Sequence, residues 1–520
     1  MALALVARDD VETVVFHDER SASFAALGIG LASGMPAVLL CSSGTAAVHF
    51  HAAVVEAHQS NVPMVVCTAD RPPELRDVSA PQTIDQTDLY GAAVRWFHDP
   101  GVPSEDARGS WRSLAARSWE ISLGARPGPV HLNLPFREPL TGTPGELPPV
   151  LPGRGVHVLG GVDDSVAHLA LALSGRRGVI VAGRDAGDRE RRADGVLALA
   201  ERLGWPVLGD SRSAGRCTVS RADLILRSGS FAGSHRPEVV LRIGEPPASK
   251  VLSQWVAGSG ATIVQIQPTS MVVEPELRAA ATWVGDADAI CRAIAPHVTG
   301  CDPSWLQDWN AAQTAAEAAT EKATAEWSEP ACARALTAAL GSDHNLVVSS
   351  SMPVRDVEWF GHRPAGPVHS NRGANGIDGV VATGIGVAVA TGRRTVVYIG
   401  DVAFVHDSSS LTGIGRRDVD LAIVVVNNDG GSIFSFLPQA DVVGETAFEK
   451  VYGTPHGTNF AHLAAAHGVP HVAVGSTHEL VQALGRPGPI IIEAVFDRAR
   501  NVAAHNGINA AVVSAVDAAV

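Results

Sequence analysis

The chain has 520 residues, enough for three or four domains that each close over a core of their own. Lys and Arg total 40 against 54 Asp and Glu, a net charge of −14, which argues against nucleic acid and anionic membrane as partners and leaves any anionic substrate to specific arginines. The six cysteines, at 41, 67, 217, 291, 301 and 332, form no Cys-x-x-Cys pair and read as free thiols of a reducing cytoplasm, while no apolar run reaches the length of a membrane span and the opening Met-Ala-Leu-Ala-Leu-Val-Ala lacks the basic flank of a signal peptide.

Residues 1–145 alternate helical stretches with short strands at 12–16, 36–41, 63–68 and 129–134, the pattern of a parallel sheet covered by helices. Within this unit, His17-Asp18-Glu19-Arg20-Ser21 sets a glutamate where the first strand passes into a helix; alone, it reads as a helix-start carboxylate favoured by the macrodipole. His49 and His51 stand two apart on a predicted helix and face different ways, so they are not read as metal ligands. The Pro/Gly-rich stretch 141–155 reads as a linker. A second α/β unit, 156–300, follows with strands at 178–181, 239–243 and 262–266, and Ala-rich sequence at 311–340 is helical in pattern. It leads into a third unit, 325–520, so the fold class expected is α/β, with three doubly wound parallel-sheet domains. Arg-Pro-Gly-Pro precedes a strand at both 126 and 486, a weak sign that the first and third units are related.

In the third unit two β-branched apolar runs, 396–399 and 421–426, read as buried parallel strands, and each ends in oxygen ligands. The first meets Gly400-Asp401 and the second meets Asn427-Asn428-Asp429-Gly430-Gly431, which would set Asp401 and Asn428 side by side at the carboxyl edge of a sheet. A carboxylate, an amide oxygen and a glycine carbonyl form a half-shell suited to Mg²⁺, with the remaining positions left to phosphates and water. The glycine turn lets backbone approach a diphosphate, and a helix opening after it would offer free N–H groups. A solvated Asp and an Asn-Gly turn would look the same in isolation.

Gly400-Asp401 followed by Asn427-Asn428 resembles the diphosphate motif of thiamine diphosphate (ThDP) enzymes. SSGTAA (42–47), TADRPPELRD (68–77), APQTIDQ (80–86), SSSMPVRDVE (349–358), SNRGANGIDG (370–379), GDVAFVHDSSSL (400–411) and NNDGGSIFSFLPQ (427–439) make the resemblance narrower. From end to end the chain resembles the 2-succinyl-5-enolpyruvyl-6-hydroxy-3-cyclohexene-1-carboxylate synthases of menaquinone biosynthesis. The resemblance implies pyrimidine, central and diphosphate domains, and a homodimer, with a homotetramer as the larger option, because the two halves of each site come from different subunits. It implies decarboxylation of 2-oxoglutarate and 1,4-addition of the succinyl carbanion equivalent to isochorismate.

Carried over by motif, Glu19 is the carboxylate that exchanges a proton with the aminopyrimidine and Gln82 approaches the reacting intermediate. Arg71, Lys250, Ser351, Arg355, Arg372, Phe434 and Leu437 contact substrate. Ser43, Gly44, Ile377, Gly400, Gly431 and Ile433 hold the cofactor, and Asp401, Asn428 and the Gly430 carbonyl ligate Mg²⁺ or Mn²⁺. Three departures stand out: the family's opening strand and Pro-Gly-Ser-Arg loop do not precede the segment that begins this sequence, Pro81 replaces the usual Asn, and His49 stands where Asn usually follows. Their absence would leave the first sheet with unpaired backbone and weaken isochorismate binding. Two other readings are another ThDP-dependent 2-oxo acid decarboxylase or carboligase, disfavoured by the arginines at 355 and 372, and a non-catalytic subunit of this fold.

Overall fold

A computed structural model describes residues 1–142, 165–184, 194–213, 215–269 and 279–520, where three parallel sheets of four, five and six strands carry the chain. The first sheet holds Ala37–Cys41 (β1), Met64–Asp70 (β2), Phe97–His98 (β3) and Pro129–Pro135 (β4) in the order β1-β2-β4-β3. The second holds Gly178–Ala182 (β5), Val207–Gly209 (β6), Val239–Ile243 (β7), Thr262–Gln267 (β8) and Ala279–Val284 (β9) in the order β6-β5-β7-β8-β9. The third holds Asn345–Val348 (β10), Val368–His369 (β11), Thr395–Gly400 (β12), Leu421–Asn427 (β13), His471–Val474 (β14) and Ile490–Val495 (β15) in the order β11-β10-β12-β13-β15-β14. Val396, Val397, Tyr398 and Ile399 of β12 and Leu421–Val425 of β13 are buried, because helices cover both faces of a parallel sheet and no side is left for polar residues. The three doubly wound α/β units are therefore present as expected.

The first and third sheets repeat one topology, since β1-β2-β4-β3 matches β12-β13-β15-β14. Both Arg-Pro-Gly-Pro strings enter the matching strands, β4 and β15. The third sheet continues past β12 into β10 and β11, whereas among the described residues nothing pairs with the outer edge of β1. Residues 12–16 occupy the chain position that β11 has in the third unit, yet they are not a strand. A strand needs a neighbour to accept its ladder. Instead the segment is tied to the third unit: the Arg417 guanidinium lies 4.1 Å from the Phe16 ring centroid and donates to the Val15 carbonyl at 3.1 Å.

Several helices position the site: Glu19–Ser33 (α1), His51–Gln59 (α2), Lys250–Gly258 (α3), Pro303–Ala323 (α4), Glu329–Ala339 (α5), Met352–Trp359 (α6), Val380–Thr391 (α7), Asp401–His406 (α8) and Arg498–Ala519 (α9). α1 and α7 touch backbone to backbone, since a Cβ on Gly28 would lie 2.2 Å from the Thr383 carbonyl and one on Gly386 would lie 2.0 Å from that of Ala25. The Ala-rich stretch 311–340 is two helices, not one, parted where Thr324 ends α4 and the Ser328 hydroxyl caps α5. α4 sends Trp305 and Trp309 into the core of the second sheet, joined there by Ile508, Val512 and Val516 of α9. The core of the second unit thus draws on sequence well beyond residue 300. The linker expected at 141–155 lies outside the described residues apart from its first two. No helix among the described residues is long and apolar enough to cross a membrane.

Candidate functional site

β12 and β13 pair with Gly400 opposite Val426, so the residues that follow leave the sheet side by side. Asp401, 2% exposed, accepts the N–H groups of Asn428 and Gly430 on Oδ2, both at 3.0 Å, and that of Val402 on Oδ1 at 2.7 Å. Burial raises the pKa of Asp401, against the pull of these donors and of His456, whose Nε2 lies 3.5 Å from Oδ2. Gly430 has φ +139°, and a Cβ there would lie 1.9 Å from the Gly453 carbonyl, so the turn admits only glycine. Gly431 donates to that same carbonyl at 2.7 Å.

The Asn428 side chain is buried, with Nδ2 donating to Glu329 Oε1 at 2.9 Å and Oδ1 left without a partner. An orphaned amide oxygen beside a buried carboxylate and a glycine turn suits a hard cation. Among the described residues no three His, Cys, Asp or Glu side chains are grouped to hold a metal, so a cation here would depend on amide, carbonyl and ligand oxygens. A cavity of about 710 Å³ opens beside Asn428 and Asp429, lined also by Phe496 and by the ion pair of Arg498 with Glu449 at 2.6 Å. The helix expected after the glycine turn is only a 3₁₀ turn, Ser432–Phe436, because Gly431 and Phe434 fold back against Tyr452. Ile433 and Phe434 are half-buried and Leu437 is exposed.

A second group gathers cations. Ser351, at φ +75°, precedes α6 and its carbonyl accepts Arg355 Nη1 one turn on. Burial lowers the pKa of Arg372, and the positive charges of Arg212 and Arg355 lower it further, against Asp210 and Glu358. A buried arginine set beside two like charges marks a place where an anion is favoured. Arg212, from the second unit, was not legible in the sequence. It is 6% exposed and reaches Asp210, two residues before it, at 2.7 Å and Glu245, which folding brings in, at 3.0 Å. Glu358 lies in the same group, and burial followed by the charges of Asp210 and Asp223 pushes its carboxyl well above the usual range. Lys250 is exposed on the first turn of α3, behind the Ser249 cap. The loop that carries Arg372 and the half-buried Ile377 is strapped to the first unit by Glu56 of α2, which accepts the N–H groups of Gly373 at 2.7 Å and Ala374 at 2.6 Å.

The third group lies at the carboxyl ends of β1 and β2. The Ser43 hydroxyl donates to the Gln82 carbonyl at 2.8 Å, Gly44 N–H donates to Gln86 Oε1 at 2.8 Å, and Arg71 Nε reaches the Pro81 carbonyl at 3.3 Å. Gln82 is exposed with φ +54°, so its side chain projects from a constrained turn. Gln86, also missed although it ends the string 80–86, is buried and ties this turn to Asn133 of β4 at 2.8 Å. Glu19 opens α1 and is half-buried in the single chain. Its charge is felt by Cys41, whose thiol burial first and Glu19 second push up to about 12. The adjacent Arg20 donates to the His406 carbonyl at 2.7 Å, at the C-terminal end of α8, while Asp401 begins that helix.

Three family models match in series: an N-terminal TPP binding domain of thiamine pyrophosphate enzymes over residues 1–89, a middle domain of thiamine pyrophosphate enzymes over 166–348, and a C-terminal TPP binding domain over 359–494. A 2-succinyl-5-enolpyruvyl-6-hydroxy-3-cyclohexene-1-carboxylate synthase of Myxococcus xanthus is 39% identical over 97% of this chain and 91% of its own length. Proteins of the same name from Rubrobacter xylanophilus, 39% identical over 97% and 92%, and Chloroflexus aurantiacus, 38% identical over 98% and 90%, align equally fully. With its three parallel sheets and its oxygen-lined strand ends, the chain belongs to the 2-succinyl-5-enolpyruvyl-6-hydroxy-3-cyclohexene-1-carboxylate synthase family of thiamine pyrophosphate enzymes.

Proposed function

We propose that the chain works in the cytoplasm as a homodimer, able to pair into a homotetramer, that decarboxylates 2-oxoglutarate and joins the remaining succinyl unit to isochorismate, releasing CO₂, with ThDP and Mg²⁺ as cofactors. The observation that carries this reading is the clasp at the ends of β12 and β13, where the buried Asn428 Oδ1 has no protein partner beside Asp401. Asp401, Asn428 Oδ1 and the Gly430 carbonyl hold Mg²⁺ or the similarly hard Mn²⁺, while Gly400, Gly431 and Ile433 line the diphosphate. When bound, ThDP supplies the electron sink for decarboxylation and carbon–carbon bond formation.

The chain's own groups do the rest. Glu19 holds and returns a proton at its carboxyl against the aminopyrimidine, with Ser43 and Gly44 beside it and Ile377 as an apolar wedge. Arg355 and Arg372 fork the substrate carboxylates, and Arg71, Lys250, Ser351 and Gln82 add polar contacts. Phe434 and Leu437 keep water out. The domains are assigned as 1–145, 156–300 and 325–520.

The test is turnover by the purified protein with ThDP and Mg²⁺. CO₂ release from 2-oxoglutarate coupled to loss of isochorismate supports the reading. CO₂ release from pyruvate in preference would assign another 2-oxo acid decarboxylase, and no release from either would point to a binding subunit.

A further inference from the structure

We propose that Glu329 is a positioning residue for the cation: it holds the Asn428 amide so that Oδ1, and not Nδ2, faces the ion. This rests on the reading above that Asn428 is a ligand. A primary amide has two ends of nearly equal size, one a donor and one an acceptor, and only its hydrogen-bond partners decide which end points where. At Asn428 one partner alone makes that decision: Nδ2 donates to Glu329 Oε1 at 2.9 Å, and Oδ1 is buried and unpartnered. Turning the amide over would set Oδ1 against the Glu329 oxygen and aim two N–H donors at the cation. Both contacts would be repulsive.

Glu329 is built for this one task. It lies 99 residues before Asn428 in sequence and is 1% exposed, as the first residue of α5, where the helix N-terminus favours a carboxyl. Ser328 caps the helix through Ala331 N–H at 3.3 Å and Pro330 follows Glu329, so the backbone that carries it is fixed by two independent devices. As a carboxylate Glu329 can only accept, and so selects Nδ2; protonated, it still offers its carbonyl oxygen to the same donor. Behind it, the buried pair of His505 Nε2 and Asp356 Oδ1 at 2.7 Å closes the pocket from α9 and α6. Nothing in the sequence around 329 announces a part in metal binding.

The experiment measures Mn²⁺ binding by electron paramagnetic resonance, with ThDP present, for the wild type, E329Q, E329L and N428A, beside thermal melts of each. Gln offers a carbonyl oxygen to Nδ2 and Leu does not, so E329Q is expected within about threefold of wild type and E329L weaker by about 10–100-fold. Wild-type Mn²⁺ affinity in folded E329L overturns the inference, provided N428A has lost affinity. Unchanged affinity in N428A overturns the ligand assignment itself and this inference with it. Should E329L not fold, E329M takes its place with the same two outcomes, since unbranched Met fills irregular space and still offers no comparable acceptor.

Discussion

In the proposed function, Glu19 and Arg372 divide the chemistry between a proton and an anion. At Glu19, substitution by Gln keeps the shape and the helix start but removes the exchangeable proton. E19Q is therefore expected to lose about 10²–10⁴ in kcat, with ThDP still binding in the presence of Mg²⁺ by calorimetric titration. At Arg372 the forked guanidinium matters more than the charge. R372A is expected to raise KM for 2-oxoglutarate by roughly 10–100-fold, the loss of one charged hydrogen-bonded contact of about 1.5–3 kcal/mol, and R372K to recover only part of it. Steady-state kinetics at saturating metal checks both. The residues legible in the sequence are those whose chemistry is written locally. Asp401 and Asn428 stand directly after β-branched runs, and their alignment follows from two adjacent parallel strands. Arg212 and Glu56 act by reaching across from other units and Glu329 from 99 residues away in its own, and such a juxtaposition leaves no trace in nearby residues.

Helices and strands were read well where one local pattern decides and badly where a neighbour does. β7, β12 and β13 are apolar runs buried on both faces, so composition alone marks them. Residues 12–16 have the composition of a strand and no strand beside them, and β3 is too short to announce itself. Element contacts carry two expectations. Glu56 of α2 also accepts the Ser60 hydroxyl at 2.8 Å, and both oxygens are committed to the loop of Arg372. E56Q loses one strong acceptor, about 1.5–3 kcal/mol of loop anchoring, and hydrogen exchange across 370–379 is expected to quicken while the sheets keep their protection. Where α1 crosses α7, any side chain at Gly386 meets the Ala25 carbonyl. G386A is expected to destabilise the fold by about 1–3 kcal/mol, read as a lower Tm.

Over the whole molecule, stability at neutral pH carries a cost at each buried carboxyl whose pKa is raised, and Asp407 shows its size. Burial raises Asp407 from 3.8 to about 6, although Ala382 N–H and the Ser410 hydroxyl, at 3.0 and 2.7 Å, favour its charge. Between those two pH values the folded chain keeps a proton that the unfolded chain has released, so folding weakens as pH climbs from about 4 to about 6 and this contribution is flat above. The slope is at most roughly 1.4 kcal/mol per pH unit. Asn satisfies both partners without ionising, so D407N is expected to lose that slope and to unfold at higher denaturant than wild type at pH 7, the two curves converging below about pH 4.

The glycine crossing of α1 and α7 also decides how the enzyme can move. Backbones already at contact distance have no soft side chains between them to compress, so the first and third sheets are joined like two plates riveted face to face. Room to admit one reactant, expel gas and then accept a bulkier ring must come from the turns at the rim, around 80–86 and 429–456, and not from any hinge between the plates.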